Sequence, residues 1–365
     1  MKKIKVLQVG IDSNLGGIET YLLELAKHID KGCFQLDFLF YEGESPCFFK
    51  ELTDLGCNFK FIRSRRKTPL GNVLDLRRLY KTERYDIVQC NVNSLSYVAP
   101  ATEALRQGIK VLFLSHNAGS SRGSSSGILN FINRICFPFG KVVLAAVSDN
   151  AGEWMFGKKR DFIVLNNGVD VQRFRFSKEK RAGIRAEFGI SPEQEVIAHV
   201  GAFRPQKNHL FLLDVFRKYL EHYPNTLLLL VGAGELESEV RQKVLDLGIG
   251  NSVFFVGLRK DVDAILSASD KFLFPSLYEG FPISLIEAET CGLRCIVSSS
   301  ITNEVCVGDC VRVDLDSPVE KWIRVLAECG VKDRDAAFRI VEAAGLDMES
   351  SIGRLQRLYV GMVER

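Results

Sequence analysis

"EVIAHVGAFRPQKNHLFLLDVF", residues 195–216, changes period midway. Its first six residues are short, apolar and β-branched in character, as a buried strand requires. After Gly201 the pattern shifts, and Leu210, Leu213 and Phe216 recur at the spacing of one helix face. A strand, a glycine-bearing loop and an amphipathic helix in that order form half of a βαβ unit. His199 falls inside the strand and reads as a core residue, whereas Arg204 and Lys207 fall in the loop at the strand's carboxyl end. Two cations there suit a diphosphate, lysine as a point charge and arginine as a forked donor; a solvated loop uses the same residues.

The same rhythm runs outward in both directions. Towards the C-terminus "NTLLLLVGAG", "SVFFVG", "KFLFPS" and "RCIVSS" are further strands between helical segments. Towards the N-terminus "KIKVLQVG", "QLDFLF", "NFKFI", "YDIVQC", "KVLFLS" and "KVVLAAVS" do likewise, and "GGIETYLLELAKHI" repeats Ile18, Leu22, Leu25 and Ile29 on a helix face. Alternation of this kind implies parallel sheets covered on both faces. The expected fold class is therefore α/β, with two doubly wound Rossmann-like domains. Asn167-Gly168 is a turn signal near their junction, and the expected boundaries are 1–166, 167–345 and a C-terminal helix at 346–365. That helix stands apart from the second sheet's repeats, so a return to the first domain is expected. "NAGSSRGSSSG", residues 117–127, reads as a mobile loop.

Composition narrows the function classes. The chain has 365 residues, 46% hydrophobic and 25% charged, with a net charge of +3, which is too small to argue for nucleic acid. One basic cluster, Arg63, Arg65, Arg66 and Lys67 with Arg77 and Arg78, fits either an anionic membrane surface or a solvated face. No apolar stretch approaches the roughly 18 residues that span a bilayer, and the opening "MKKIKVLQVGIDSN" lacks a signal-peptide core. A cytoplasmic location, peripheral at the inner face of the plasma membrane, is the expectation. Ten cysteines include Cys291, Cys295, Cys306 and Cys310 in one region, but at three-residue rather than two-residue gaps. Reduced, mostly buried thiols and no metal site are expected.

Ligands of doubly wound sheets bind beyond the carboxyl ends of the strands, so the loops there hold the candidates. Six such loops from the two domains are expected to face one cleft. Gly16 and Gly17 precede a helix and allow either a close ligand approach or a plain turn. His116 follows an apolar strand directly. In "PSLYEGFPISLIEAETCG", residues 275–292, a helix can begin only after Pro282, which leaves Glu279 on the loop and puts Glu287 one turn into the helix. Two carboxylates so placed contact different parts of one extended ligand, with free helix N–H groups between them for a phosphate. "LLLLVGAGELE" looks like a dinucleotide fingerprint but lacks the third glycine, and Glu235 and Glu237 oppose a pyrophosphate.

These motifs, with "GGIETYLLELA", "SHN", "VGLRK" and the late Trp322, resemble the retaining glycosyltransferases of family 4, nearly end to end, and most of all the bacterial transferases of exopolysaccharide and capsule. The resemblance implies the GT-B fold, a nucleotide-sugar donor with UDP as its nucleotide, a glycan or lipid-linked oligosaccharide acceptor, and no metal or other cofactor. It implies that Glu279 binds donor-sugar hydroxyls, that Glu287 binds the ribose and that Lys207 binds the diphosphate. Phe281, Pro282 and Ile283 would hold sugar and phosphate through their backbone, with Leu258 at the base, Gly16 and Gly17 near the phosphates and acceptor, and His116 near the donor sugar. Many relatives carry arginine where this chain has Ala202; either Arg204, two positions later, substitutes for it or the diphosphate has one fewer cation here. Two other readings use the same residues: a nucleotide-sugar epimerase of the same fold, and a nucleotide-binding partner without turnover.

Overall fold

A computed structural model of the chain describes residues 3–14, 16–117, 126–328 and 333–364. The chain forms two compact units, Met1–Gly168 with Met348–Arg365, and Val169–Asp347.

The first unit alternates strands β1 (Ile4–Val9), β2 (Phe34–Tyr41), β3 (Asn58–Ile62), β4 (Ile87–Val92), β5 (Lys110–Ser115), β6 (Val143–Ala146) and β7 (Ile163–Val164) with helices. The helices are α1 (Gly17–His28), α2 (Phe49–Asp54), α3 (Pro69–Glu83), α4 (Ala99–Arg106), α5 (Ser126–Cys136) and α6 (Asp149–Phe156). All strand pairings are parallel, in the order β3-β2-β1-β4-β5-β6-β7. The order reverses between β1 and β4, the switch point of a doubly wound sheet. Every residue of β4 is buried, which is why it reads as a run and not as an alternation.

The second unit opens with α7 (Val171–Phe174) and α8 (Lys178–Glu187). There follow β8 (Glu195–Val200), α9 (His209–His222), β9 (Thr226–Val231), α10 (Glu237–Asp246), β10 (Val253–Gly257) and α11 (Val262–Ala268). The remainder is β11 (Lys271–Phe274), α12 (Ile283–Thr290), β12 (Arg294–Ser298), β13 (Cys310–Val313), α13 (Val319–Ala327) and α14 (Ala337–Ala343). Its parallel order, β10-β9-β8-β11-β12-β13, reverses between β8 and β11. Strands β8 and β9 each feed two cores. Leu228 and Leu230 of β9 join Leu213, Phe216, Val244 and the fully buried Trp322 on one face, while Leu227, Leu229 and Val231 join Ile184, Ile190 and Ile265 on the other.

The last helix, α15 (Met348–Glu364), belongs to the first unit, where it packs on α1 and β1. The divisions fall after Gly168 and Asp347, two residues beyond the expected 166 and 345, and α15 is part of a unit rather than a third domain. The two chain crossings are tied together in the second unit: Val169 pairs in parallel with Asp347 and its N–H donates to the Leu346 carbonyl at 2.9 Å. Two strands escaped the sequence reading, β7 because it has two residues and β13 because it is a half-exposed edge carrying Arg312. The expected loop at 117–127 lies largely outside the described residues.

Candidate active site

In the second unit the loops after β8 and β11 are stitched together at the switch point. Gly232, at φ 141, backs onto the first of these loops: a Cβ on it would stand 2.2 Å from the Gly201 carbonyl, so only glycine fits. Gly201 in turn makes room for the stem of Lys207, whose Cδ and Cε would lie 3.0 Å from a Cβ there. Lys207 thus reaches across to donate from Nζ to Glu279 Oε1 at 2.7 Å, 4.5 Å from the Phe274 ring centroid. Gln206 donates from Nε2 to Glu279 Oε2 at 3.0 Å and to the Tyr278 carbonyl at 2.9 Å. Asn208, in a left-handed conformation, donates to the Pro275 carbonyl at 3.2 Å. Glu279 is buried, so its negative charge is held by a cation and an amide instead of water.

The structure brings Lys207 and Glu279 into contact. Phe281 is buried, and Pro282, in the capping position of α12 with an extended backbone, makes no side-chain hydrogen bond to the helix that starts at Ile283. Glu287 is half-buried on α12. Arg204 is exposed at the start of the 205–207 turn, and Leu258 is exposed just past β10. Beneath Lys207, His199 is buried with Nδ1 2.9 Å from the Leu273 carbonyl, and His209 stacks on Phe203. Burial lowers the pKa of both imidazoles, that of His209 to about 4, so both are neutral. α10 begins at Glu237 with Leu236 in the capping position, so Glu235 lies ahead of the helix.

The corresponding end of the first unit holds no such ion pair among the described site residues. Gly10, at φ 115, ends β1 against β4, where a Cβ would stand 2.2 Å from the Asn91 carbonyl. His116 follows β5, half-buried, with Nε2 3.2 Å from Asn91 Oδ1 and its ring 4.9 Å from that of Tyr21. Burial lowers its pKa to about 3. Asn91 is itself fixed: Gln89 donates to its Oδ1 at 2.8 Å, and its Nδ2 donates to Gln8 Oε1 at 2.9 Å. Tyr359 of α15 closes the network, accepting from Gln8 at 3.0 Å and donating to Gln89 Oε1 at 2.5 Å. Four buried polar groups thus connect the last helix to the histidine. The sequence reading passed over Gln8, Gln89, Asn91 and Tyr359, although Gln89 and Asn91 sit two apart in a strand, on one face, where apolar residues are the rule.

Gly16 and Gly17 have no left-handed backbone. Gly16 caps α1 with φ −156, and Gly17 opens it with free space around its Cα. Glu19 turns back over them, accepting from the Asp12 N–H at 2.9 Å, with burial raising its pKa. The basic cluster is partly engaged internally: Arg63 pairs with Asp75 at 2.7 Å, and Arg65 lies 4.4 Å from the Tyr97 ring centroid and donates to the Ser96 carbonyl. Of the nine described cysteines four are buried, two exposed and three between, fewer buried than expected. Among the described residues no three His, Cys, Asp or Glu side chains gather as a metal site, and no helix is long and apolar enough to cross a membrane.

This architecture is that of GT-B glycosyltransferases. A structure of Anabaena Alr3699/HepE in complex with UDP and glucose superposes with a TM-score of 0.79 over 98% of this chain and all of that one, at 18% identity. A glycosyltransferase from Rickettsia africae ESF-5 does so at 0.79 over the whole of both chains, at 19% identity. Two family models divide the sequence between them, Glycosyltransferase Family 4 over residues 15–173 and Glycosyl transferases group 1 over residues 180–311. The chain belongs to the family 4 glycosyltransferases. It is 29% identical to EpsF of Bacillus subtilis (strain 168), a glycosyltransferase by name, over 97% of this chain and 96% of that one. It is also 29% identical to the UDP-Gal:alpha-D-GlcNAc-diphosphoundecaprenol alpha-1,3-galactosyltransferase of Escherichia coli, over 55% of this chain and 54% of that one.

Proposed function

We propose that the protein transfers a sugar, with retention and without a metal ion, from a UDP-sugar to a lipid-linked oligosaccharide in extracellular polysaccharide biosynthesis. The observation that carries this is the Lys207–Glu279 pair at the carboxyl ends of β8 and β11, ahead of a helix whose capping residue, Pro282, makes no side-chain hydrogen bond to it. The named substrate of the Escherichia coli relative and the UDP in the Anabaena structure support the choice of nucleotide and acceptor.

Lys207 and the N–H groups at Ile283 supply positive potential where diphosphate charge grows as the anomeric bond breaks. Arg204 swings in as the second cation in place of the arginine missing at Ala202. Glu279, held by Lys207 and Gln206, presents acceptor lone pairs to donor-sugar hydroxyls; Glu287 holds the ribose and the Leu258 backbone the base. The leaving phosphate takes the acceptor proton on the face it departs from, so no carboxylate acts as a covalent nucleophile. His116 works as a neutral hydrogen-bonding group, since its pKa of about 3 leaves it uncharged at neutral pH. The enzyme works in the cytoplasm, peripheral to the membrane that carries its acceptor.

Incubation with a panel of UDP-sugars and GDP-sugars, with and without polyprenyl-diphosphate-linked acceptors, tests this by product mass and anomeric configuration. An acceptor-dependent product with the donor's anomeric configuration is expected. An epimerised nucleotide sugar formed without acceptor, or nucleotide binding without any turnover, contradicts it.

A further inference from the structure

Helix α5 wears its amphipathicity inside out. On a wheel of 100° per residue, Asn130, Asn133 and Arg134 share one side and Ile128, Phe131, Ile132 and Ile135 the other. The polar side faces the protein. Asn130 Oδ1 accepts from the Leu95 N–H at 2.7 Å, and Asn133 Nδ2 donates to the Leu95 carbonyl at 2.6 Å, which fixes the helix's rotation against the loop after β4. The chain beyond α5 is anchored by buried Phe137 and Phe139, which pack edge-on against Phe113 and Phe156. The apolar side is left outward: Ile128 is 71% exposed, Leu129 51%, Phe131 65%, Ile132 46% and Ile135 65%. Isolated exposed apolar residues are ordinary, but five large ones in one short helix are a surface with no partner among the described residues.

The charge beside that surface selects its occupant. Residues 126–136 contain Arg134 and no carboxylate. The turn 157–160, "GKKR", lies against the last turn of α5, where Arg160 donates to the Arg134 carbonyl at 3.0 Å. It adds Lys158, Lys159 and Arg160, opposed by Glu153, 3.6 Å from Lys158, and by Asp161. A second copy docking face to face would set these cations near their own images. An anionic lipid surface complements both features, taking the isoleucines and phenylalanine below its headgroups and the cations among them.

We propose that α5, with the 157–160 turn, is the surface by which this protein lies on an anionic bilayer, and that the cluster at Arg63 to Lys67 is secondary. Leu95, which holds α5, lies three residues past the end of β4, and His116 lies one past the end of β5, so the surface adjoins the ligand-binding end of this unit's sheet. The proposal stands on α5 and does not require that the donor be a UDP-sugar.

Co-sedimentation of the full chain with vesicles of phosphatidylcholine alone, or with phosphatidylglycerol added, tests it. Wild type binds the phosphatidylglycerol vesicles; Ile128→Ser/Phe131→Ser/Ile135→Ser lowers the partition by at least about tenfold, as removal of an interfacial helix's apolar face should. Lys158→Ala/Lys159→Ala lowers it about tenfold on anionic vesicles with little change on neutral ones. Neutralising Arg63, Arg65, Arg66 and Lys67 changes it less. Absence of wild-type binding, an unchanged partition of the triple variant, or a concentration-dependent dimer that the triple variant abolishes each overturns the proposal. Circular dichroism and UDP titration accompany the variants. Failure of wild type to bind UDP counts against the donor reading and leaves the vesicle result standing.

Discussion

The two units have the same central strand order and use it for opposite electrostatics. In the second, the loops at the switch point hold an ion pair, half-buried Lys207 on buried Glu279. In the first, the same location holds amides, a phenol and an imidazole whose pKa burial lowers to about 3. Both rely on a glycine pressed against a neighbouring backbone, Gly10 on β4 and Gly232 on the loop after β8. The shared scaffold therefore sets the switch point, and the residues around it set the charge there; on the proposed function the cations of the second unit serve a diphosphate and the neutral groups of the first a hydroxylated acceptor.

The sharpest way to break this contrast is Lys207→Ala. It removes the cation and leaves Glu279 buried without it, so transfer should fall by about a hundredfold to a thousandfold, with stability lowered by about 3 kcal/mol. Steady-state kinetics and thermal unfolding check this, and a variant within threefold of wild type would remove the charge difference between the units.

Next in size is a pH effect confined to the second unit. Burial raises the pKa of Glu289 on α12 to about 7, with Oε2 accepting from the Val307 N–H at 3.2 Å and Oε1 unpartnered among the described residues. The folded chain thus holds this proton more tightly than the unfolded one. Its stabilisation is complete below the ordinary value of 4.5 and is lost as pH rises through 7. Glu289→Gln should therefore stabilise the protein at pH of about 8.5 by roughly 1 to 3 kcal/mol and do little near pH 4, as read from unfolding midpoints.

The smallest change probes the neutral side. Tyr359→Phe deprives Gln8 and Gln89 of a buried partner and should cost about 1 to 3 kcal/mol. Because the network continues to Asn91 and His116, turnover should also fall, by about threefold to tenfold, without the change in nucleotide affinity that a variant at Lys207 produces. Equal loss of UDP affinity would show that the first unit's network also governs the donor.

Much of this was legible in the sequence. The change of period after Gly201 and its echoes on either side gave both sheets, since buried parallel strands are runs that composition cannot hide. Pro282 alone placed the start of α12, and with it the separation of Glu279 from Glu287. What could not be read depended on the third dimension. Nothing in the spacing brings Tyr359 to Gln89, and the contact exists because α15 returns to β1 from the far end of the chain. Gln206 looked like a loop residue until β11 delivered Glu279 beside it. The basic cluster was half legible for a related reason: its charge was visible, while Asp75 and Tyr97, which engage part of it, were not. Helix α5 carried its message in which face turns inward, a property set by two asparagines and the backbone of one residue, Leu95.

The division of labour between the two glutamates is the centre of the account, and calorimetric titration of UDP into Glu279→Gln and Glu287→Gln tests it most directly. Glu287→Gln should bind UDP at least about tenfold more weakly, the loss of a charge-assisted hydrogen bond to the ribose. Glu279→Gln should bind UDP within about threefold of wild type while transferring sugar at least about a hundredfold more slowly. Two variants with the same affinity for UDP would contradict it.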